Sequence, residues 1–363
     1  MNRFIRFILA LGAASSLAVH AFAAETIAPY HDRFGRSQPL IAIVGENSGT
    51  ELTDFAIPYG VLARSGAAQV TTVATQPGAL TMRPALKIQP DATVQQFDSQ
   101  YPEGADYVIV PAVGKHDDPE LLRWVAAQGA KGATIVSICD GALVVAGAGL
   151  LKGHRATAHW ATESHRKEHY PDTQWISNTR YVADGKVVSS AGISAAVPTS
   201  LALLEAIAGR ARAAAVAQEI GVDDWGSSHD SDRFHPRLGN LTAYATIYTN
   251  AWFHATDSVG VPLASGVDEI ALAFTADAWS RTSRSQAYGI AASNAPIRTR
   301  NGLNVLPDRA AGAADAPAAM LPALDTTPAG KALDKVLADV AQRYGHRTAY
   351  RVALEFEYPA YQP

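Results

Sequence analysis

Short apolar runs alternate with amphipathic stretches through the first half of the chain. Leu40-Ile-Ala-Ile-Val44, Val70-Thr-Thr-Val-Ala74, Tyr107-Val-Ile-Val-Pro111, the run from Ala133 to Ile138, and Val187-Val-Ser-Ser-Ala191 read as buried strands. Helices are predicted from about Thr53 to Arg64, from Asp118 with Pro119 at its first position to Gln128, and from Thr199 to Ile220. Met82-Arg-Pro and Leu86-Lys-Ile-Gln-Pro read as a hairpin excursion. Strands alternating with helices predict a parallel sheet covered on both faces.

The pattern returns in the second half. Thr50 to Arg64 corresponds to Ser265 to Trp279, and Val73 to Asp91 corresponds to Ile290 to Asp308, with turn residues in register. The closing helices match loosely, Ala202 to Arg210 against Leu333 to Ala341. An Ala/Pro-rich stretch, Ala310 to Gly330, reads as a loop and stands where the strand before Cys139 and its helix would recur. The second copy therefore has no nucleophile and is expected to be structural or to line one wall of a site. The resulting division is 1–23 leader, 38–220 first domain, 221–254 linker and 255–363 partial repeat.

Arg3 and Arg6, the apolar stretch Phe7 to Val19 and Ala21-Phe22-Ala23 form a secretory signal with a small-x-small cleavage site. The expected product starts at Ala24, has no stable membrane anchor and is periplasmic or secreted. The chain carries 30 basic and 34 acidic residues; without Arg3 and Arg6 the balance is 28 against 34, a net of −6. A mildly acidic surface argues against nucleic acid or an anionic membrane as partner. One cysteine excludes an internal disulfide, so stability rests on a core that 48% hydrophobic residues can supply.

That cysteine, Cys139, lies between the Ala133–Ile138 strand and a small-residue helix. A free cysteine is commonly a small buried hydrophobe. A sharp strand-to-helix turn containing Gly141 instead points to a nucleophile elbow, with the sulfur facing the amides and the positive end of the helix. That setting is expected to lower the thiol pKa.

Ser137-Ile-Cys-Asp-Gly-Ala142, Ala148-Gly-Leu-Leu-Lys-Gly-His-Arg-Ala-Thr-Ala-His-Trp160 and Glu51-Leu-Thr-Asp-Phe-Ala-Ile-Pro58 together resemble the ThiJ/PfpI superfamily over about residues 38–220. This is the cysteine branch of the class I glutamine-amidotransferase-like folds, and the flavour is that of isonitrile hydratases and of the sensor domains of AraC-type regulators. The resemblance implies a flavodoxin-like three-layer sandwich and Cys139 as nucleophile. It also implies Asp54 as the acid against the sulfur, the amides of Asp140 and Gly114 as an oxyanion pocket, and His159 turned toward the site. Val110-Pro-Ala-Val-Gly114 departs from the usual Pro-Gly-Gly. Asp140 departs as well: a bare carboxylate beside the sulfur opposes a thiolate. Either its side chain turns to a cationic or amide partner, or it is a second acid. Regulators of this type carry a helix-turn-helix domain after the sensor; here the partial repeat stands in that place.

His154, His159, His165 and His169 are dense enough to suggest a metal, but no cysteine or patterned carboxylate completes a ligand set. Asp223, Asp224, Asp230 and Asp232 around His229 fit no calcium loop and read as a solvated linker. Glu269, the match of Asp54 in the second copy, is expected to be vestigial. No metal and no cofactor is expected. The expected activity is that of an exported hydrolase or hydratase on a small molecule, with Cys139 attacking and Asp54 as acid/base. The alternatives are a non-catalytic ligand-binding or redox-sensing module, and a stress protein responding through oxidation of Cys139. Relatives often dimerise, so a homodimer is possible unless the repeat occupies that surface.

Overall fold

The computed structural model describes residues 25–361 apart from 318 and 325, so the leader lies outside the described residues. Seven strands form the main sheet, in the order 181–184, 187–190, 134–137, 107–110, 40–45, 69–74, 92–93. Every pairing is parallel except the edge hairpin Tyr181–Asp184 with Val187–Ser190. Side chains alternate between the two faces. Ile41, Ile43, Ile109 and Val136 enter the core shared with the helices Leu52–Ser65, Ala196–Ala208 and Arg210–Ile220, whereas Ala42, Val44, Val108 and Ile135 enter the core on the other face. Two helical layers around a parallel sheet make the expected flavodoxin-like sandwich.

The second half repeats the first four strands of this plan. Asp257–Pro262 lies between Ser285–Ala291 and Ala319–Met320, with Arg309–Ala310 at the edge, all parallel. The sheet ends where the elbow strand would follow. Ala310 to Gly330 is largely irregular, though its residues Ala310, Ala319 and Met320 complete these short strands.

The closing helices pair in a different register from the one read in the sequence. In the first copy Ala196–Ala208 and Arg210–Ile220 meet at Gly209, with φ 82° and ψ 162°; in the second Ala332–Tyr344 and His346–Glu355 meet at Gly345, with φ 89° and ψ 154°. Both junctions use a backbone conformation that favours glycine. Gly209 therefore matches Gly345, and the single helix expected over Thr199 to Ile220 is two.

The copies are joined through equivalent parts. The hairpin strand Lys87–Gln89 pairs antiparallel with Asn304–Leu306, extending one five-stranded sheet across both halves. The helix Leu52–Ser65 packs on its counterpart Glu269–Ser280, and Thr53 Oγ1 donates to Asp277 Oδ2 at 2.8 Å. The segment expected to be a solvated linker is more ordered than its composition suggested. Leu241–Phe253 is a helix, the His229 side chain, Ser231 and Phe234 are buried, and Glu357 accepts from His229 Nε2 at 2.9 Å and from Ser231 Oγ at 3.2 Å.

Candidate active site

Cys139 stands between the strand Thr134–Ser137 and the helix Gly141–Gly147 with φ +55°. That is a left-handed conformation, which costs a non-glycine residue about 1–3 kcal/mol. The surroundings hold it there. Ile138 N donates to Val110 O at 3.0 Å, Cys139 N to Ser190 Oγ at 3.1 Å, and Gly141 N to Ile138 O at 2.9 Å. A Cβ on residue 141 would lie 1.9 Å from Val110 O, so this turn closes only with glycine. The elbow is therefore a built feature of the sheet's carboxyl edge.

Asp54 comes from the first turn of the helix Leu52–Ser65 and is fully buried. Its Oδ2 accepts from Ala112 N at 3.1 Å, while Oδ1 has no hydrogen-bond partner among the described residues. Burial pushes this carboxyl well above its usual range, and Glu51 one turn away adds to the rise.

Glu51 precedes that helix and forms an ion pair with Arg281 of the second copy. Arg281 also binds Asp277 and Glu355, so one largely buried guanidinium gathers three carboxylates. Burial outweighs this pairing and raises the Glu51 carboxyl to about 8. The second copy thus lines a wall of the site: Arg281, Arg351 and Glu355 border the same cavity as Cys139, a space of about 480 Å³.

The thiol differs from expectation. Burial pushes Cys139 well above the ordinary thiol value, and the carboxyls of Asp54, Asp140 and Glu51 push in the same direction; the Asp140 amide, bonded to the sulfur, is a smaller opposing influence. The elbow helix has only seven residues, too short for its dipole to outweigh three acids and burial. The resting sulfur is a thiol.

Asp140 takes a hydroxyl partner in place of the cationic or amide partner expected. Its Oδ1 accepts from Thr162 Oγ1 at 2.7 Å, so the side chain turns to a hydroxyl, with His159 and Arg166 close enough to favour its charge. Burial is the larger influence and raises its carboxyl. His159 borders the cavity, but both ring nitrogens are engaged. Nδ1 accepts from Ala161 N at 3.1 Å, and Nε2 donates to Glu355 O at 2.9 Å. This corrects its expected role: taking a proton from Cys139 would break one of those bonds. Gly114 is also corrected, because its amide donates to Gly49 O at 2.7 Å and is not available to an oxyanion.

Ser190, Glu51, Arg281 and Arg351 were not among the residues read from the sequence. Glu51 had a signal, since it opens the motif that contains Asp54, three residues before it. The histidine stretch resolves into separate contacts. His165 and His169 stack at 4.1 Å, and His154 pairs with Asp184 at 3.2 Å. Among the described residues no group of three or more His, Cys, Asp or Glu is placed to hold a metal ion.

The profile of the DJ-1/PfpI family matches residues 41–206. An isonitrile hydratase of Pseudomonas putida is 31% identical over 161 residues, covering 43% of this chain and 67% of that protein. The HTH-type transcriptional regulator CdhR of Pseudomonas aeruginosa is 33% identical over 126 residues, covering 35% of this chain and 36% of the regulator. The crystal structure of Drosophila melanogaster DJ-1beta aligns at 22% identity with a TM-score of 0.47, covering 52% of this chain and all of that one. With the family match and the Pseudomonas putida relative, the chain belongs to the DJ-1/PfpI family.

Proposed function

We propose that this protein is an exported cysteine-dependent enzyme, of hydratase or hydrolase type, acting on a small molecule with an electrophilic carbon. The observation that carries the reading is Cys139 at φ +55° on a glycine-dependent elbow, bordering an open cavity, with the buried acid Asp54 near enough to act on its thiol. The Cys139 sulfur forms a bond to the carbon, and Asp54 moves the thiol proton to the substrate atom that gains the electron pair. Water then forms a C–O bond, the S–C bond breaks, and a proton returns to sulfur. The net change is addition of water, or hydrolysis where a leaving group departs.

A neutral Asp54 suits this cycle. When Cys139 ionises, the carboxyl hydrogen can bond the thiolate, so the pair carries one negative charge rather than two. The amides of Asp140 and Val113 are the oxyanion donors in this reading. Thr50 and Val113 form an antiparallel bridge whose flanking amides, Glu51 N and Gly114 N, are used between the strands, which leaves the Val113 amide on the opposite side.

The test uses the isonitrile class named by the Pseudomonas putida relative. Wild type, Cys139→Ala and Asp54→Asn are assayed on a panel of small isonitriles, with intact-protein mass spectrometry for a covalent adduct. Turnover and an adduct lost in Cys139→Ala are expected. Turnover that survives Cys139→Ala would remove the nucleophile. A binding or sensing module is the second reading, supported by the regulator relative and by the resting thiol; it predicts ligand-dependent stabilisation with neither adduct nor turnover. Export is tested by fractionation and by sequencing the mature N-terminus, expected at Ala24.

A further inference from the structure

The same cavity holds cations that the proposed chemistry does not use. Arg83 is exposed at its rim, and its guanidinium has no hydrogen-bond or ion-pair partner among the described residues. Its side chain crosses the bare faces of Gly49 and Gly114: a Cβ on residue 49 would meet Arg83 Cδ at 2.9 Å, and one on residue 114 would meet Nη1 at 3.3 Å. Two residues without side chains thus make room for an arginine over the opening.

Arg351 stands on a second wall, contributed by the other copy, with its side chain 14% exposed. Its Nη1 is 2.9 Å from Glu355 Oε2, yet Nη1 and Nε are both buried without a hydrogen bond. Glu355 is shared with Arg281, and the guanidinium also sits 5.0 Å over the Tyr244 ring. Those two nitrogens are closed to a ligand, but Nη2 also makes no hydrogen bond among the described residues and keeps some exposure, so it is the donor a ligand oxygen can reach.

Glu355, shared by Arg281 and Arg351, offsets part of this charge, and no acid among the described residues pairs with Arg83. Asp277 is committed to Arg281 and Thr53, and Asp140 to Thr162. Burial pushes the Glu51 and Asp54 carboxyls toward their neutral forms.

We infer that the substrate is a small organic carboxylate, its anionic end held by Arg83 and Arg351 while its electrophilic carbon reaches Cys139. A planar guanidinium matches a carboxylate through paired N–H donors, which a neutral substrate of equal size would leave unmet. The cavity volume suits a ligand of that size. This rests on Cys139 being the reactive group, and the test separates the two claims.

Iodoacetate and iodoacetamide alkylate a thiol by the same displacement and differ mainly in charge. The readout is the ratio of their rates at Cys139, divided by the same ratio for free cysteine at equal pH. A normalised ratio of about tenfold or more is expected, falling as salt is raised and dropping in Arg83→Gln and Arg351→Gln. Arg83 is exposed, so its variant and the salt series remain informative if Arg351→Gln does not fold. Brisk reaction with iodoacetamide at a normalised ratio near one overturns the carboxylate inference and leaves the nucleophile standing. Failure of both reagents at native Cys139 overturns the nucleophile and this inference with it.

Discussion

Ile88 and Val305 face each other across an antiparallel strand pair, and they occupy the same position in the two copies of the repeat. Lys87 lies opposite Leu306 and Gln89 opposite Asn304, so the pairing maps onto itself when the copies are exchanged. Such a self-complementary contact joins identical subunits in a symmetric dimer; here one chain supplies both sides. Both residues are 1% exposed. Val305→Asp buries an unpaired carboxylate in that contact and is expected to cost more than about 3 kcal/mol. Because the halves share a sheet and the Arg281 ion-pair cluster, circular dichroism and tryptophan fluorescence should report one coincident transition for both wild type and variant. Two resolved transitions would make the halves independent.

Asp54→Asn should separate thiol reactivity from turnover. In the proposed cycle Asp54 is neutral, so Asn removes no charge and its amide can still donate to the sulfur; the iodoacetamide rate near pH 7 should change little. Turnover, by contrast, should fall about 100- to 10 000-fold with the loss of the proton carrier. A variant slower in both assays would mean that Asp54 only supports the local structure.

The part of this site carried by local sequence was legible. The apolar run before Cys139, Gly141 after it and Asp54 in a helical first turn are short-range patterns, and the fold places them at one sheet edge. The repeat was legible for the same reason, since turn residues and apolar spacing survive divergence. Arg281 was not, because its partner Glu51 is 230 residues away and only tertiary packing brings them together. The thiol pKa was misjudged because a dipole argument counts the helix but not the acids folded in from elsewhere. His159 and Gly114 were assigned by position in a motif, which says nothing of the bonds their nitrogens already make. The register of the closing helices needed the backbone angles at Gly209 and Gly345, since Ala-rich helices align equally well in several registers.

Glu51 gives the protein a pH-dependent stability of definite sign. Its carboxyl titrates at about 8 in the fold, against an ordinary 4.5. Between those values the folded chain binds a proton that the unfolded chain has released, so stability falls as pH rises. The contribution is complete below about pH 4.5 and gone above about pH 8. Glu51→Gln lacks this dependence and should gain on wild type steadily from pH 5 to pH 8, measured by urea denaturation at each pH. Arg281→Met should raise the Glu51 carboxyl further and cost about 3–5 kcal/mol, because the Asp277 and Glu355 carboxylates lose their common cation. A wild-type minus Glu51→Gln difference that is flat with pH would show that Glu51 is ionised throughout.

Gly141→Ala is the sharpest test of the elbow. The added methyl would sit 1.9 Å from Val110 O and 2.9 Å from the Pro111 carbonyl carbon, both backbone atoms at the end of a buried strand. Neither can swing aside as a flexible side chain could, so the turn itself must open. Opening it removes the Gly141 N to Ile138 O bond and frees Cys139 from φ +55°. The sulfur then loses the Asp140 amide, and Cys139 N loses Ser190 Oγ. The expected cost is about 3 kcal/mol or more. Urea denaturation reads that loss, and alkylation of the folded variant at matched stability reads the change at sulfur. Both should change together, with turnover lost even where the protein remains folded. A variant as stable as wild type, with the same alkylation rate and turnover, would mean that the elbow geometry is not what makes Cys139 reactive.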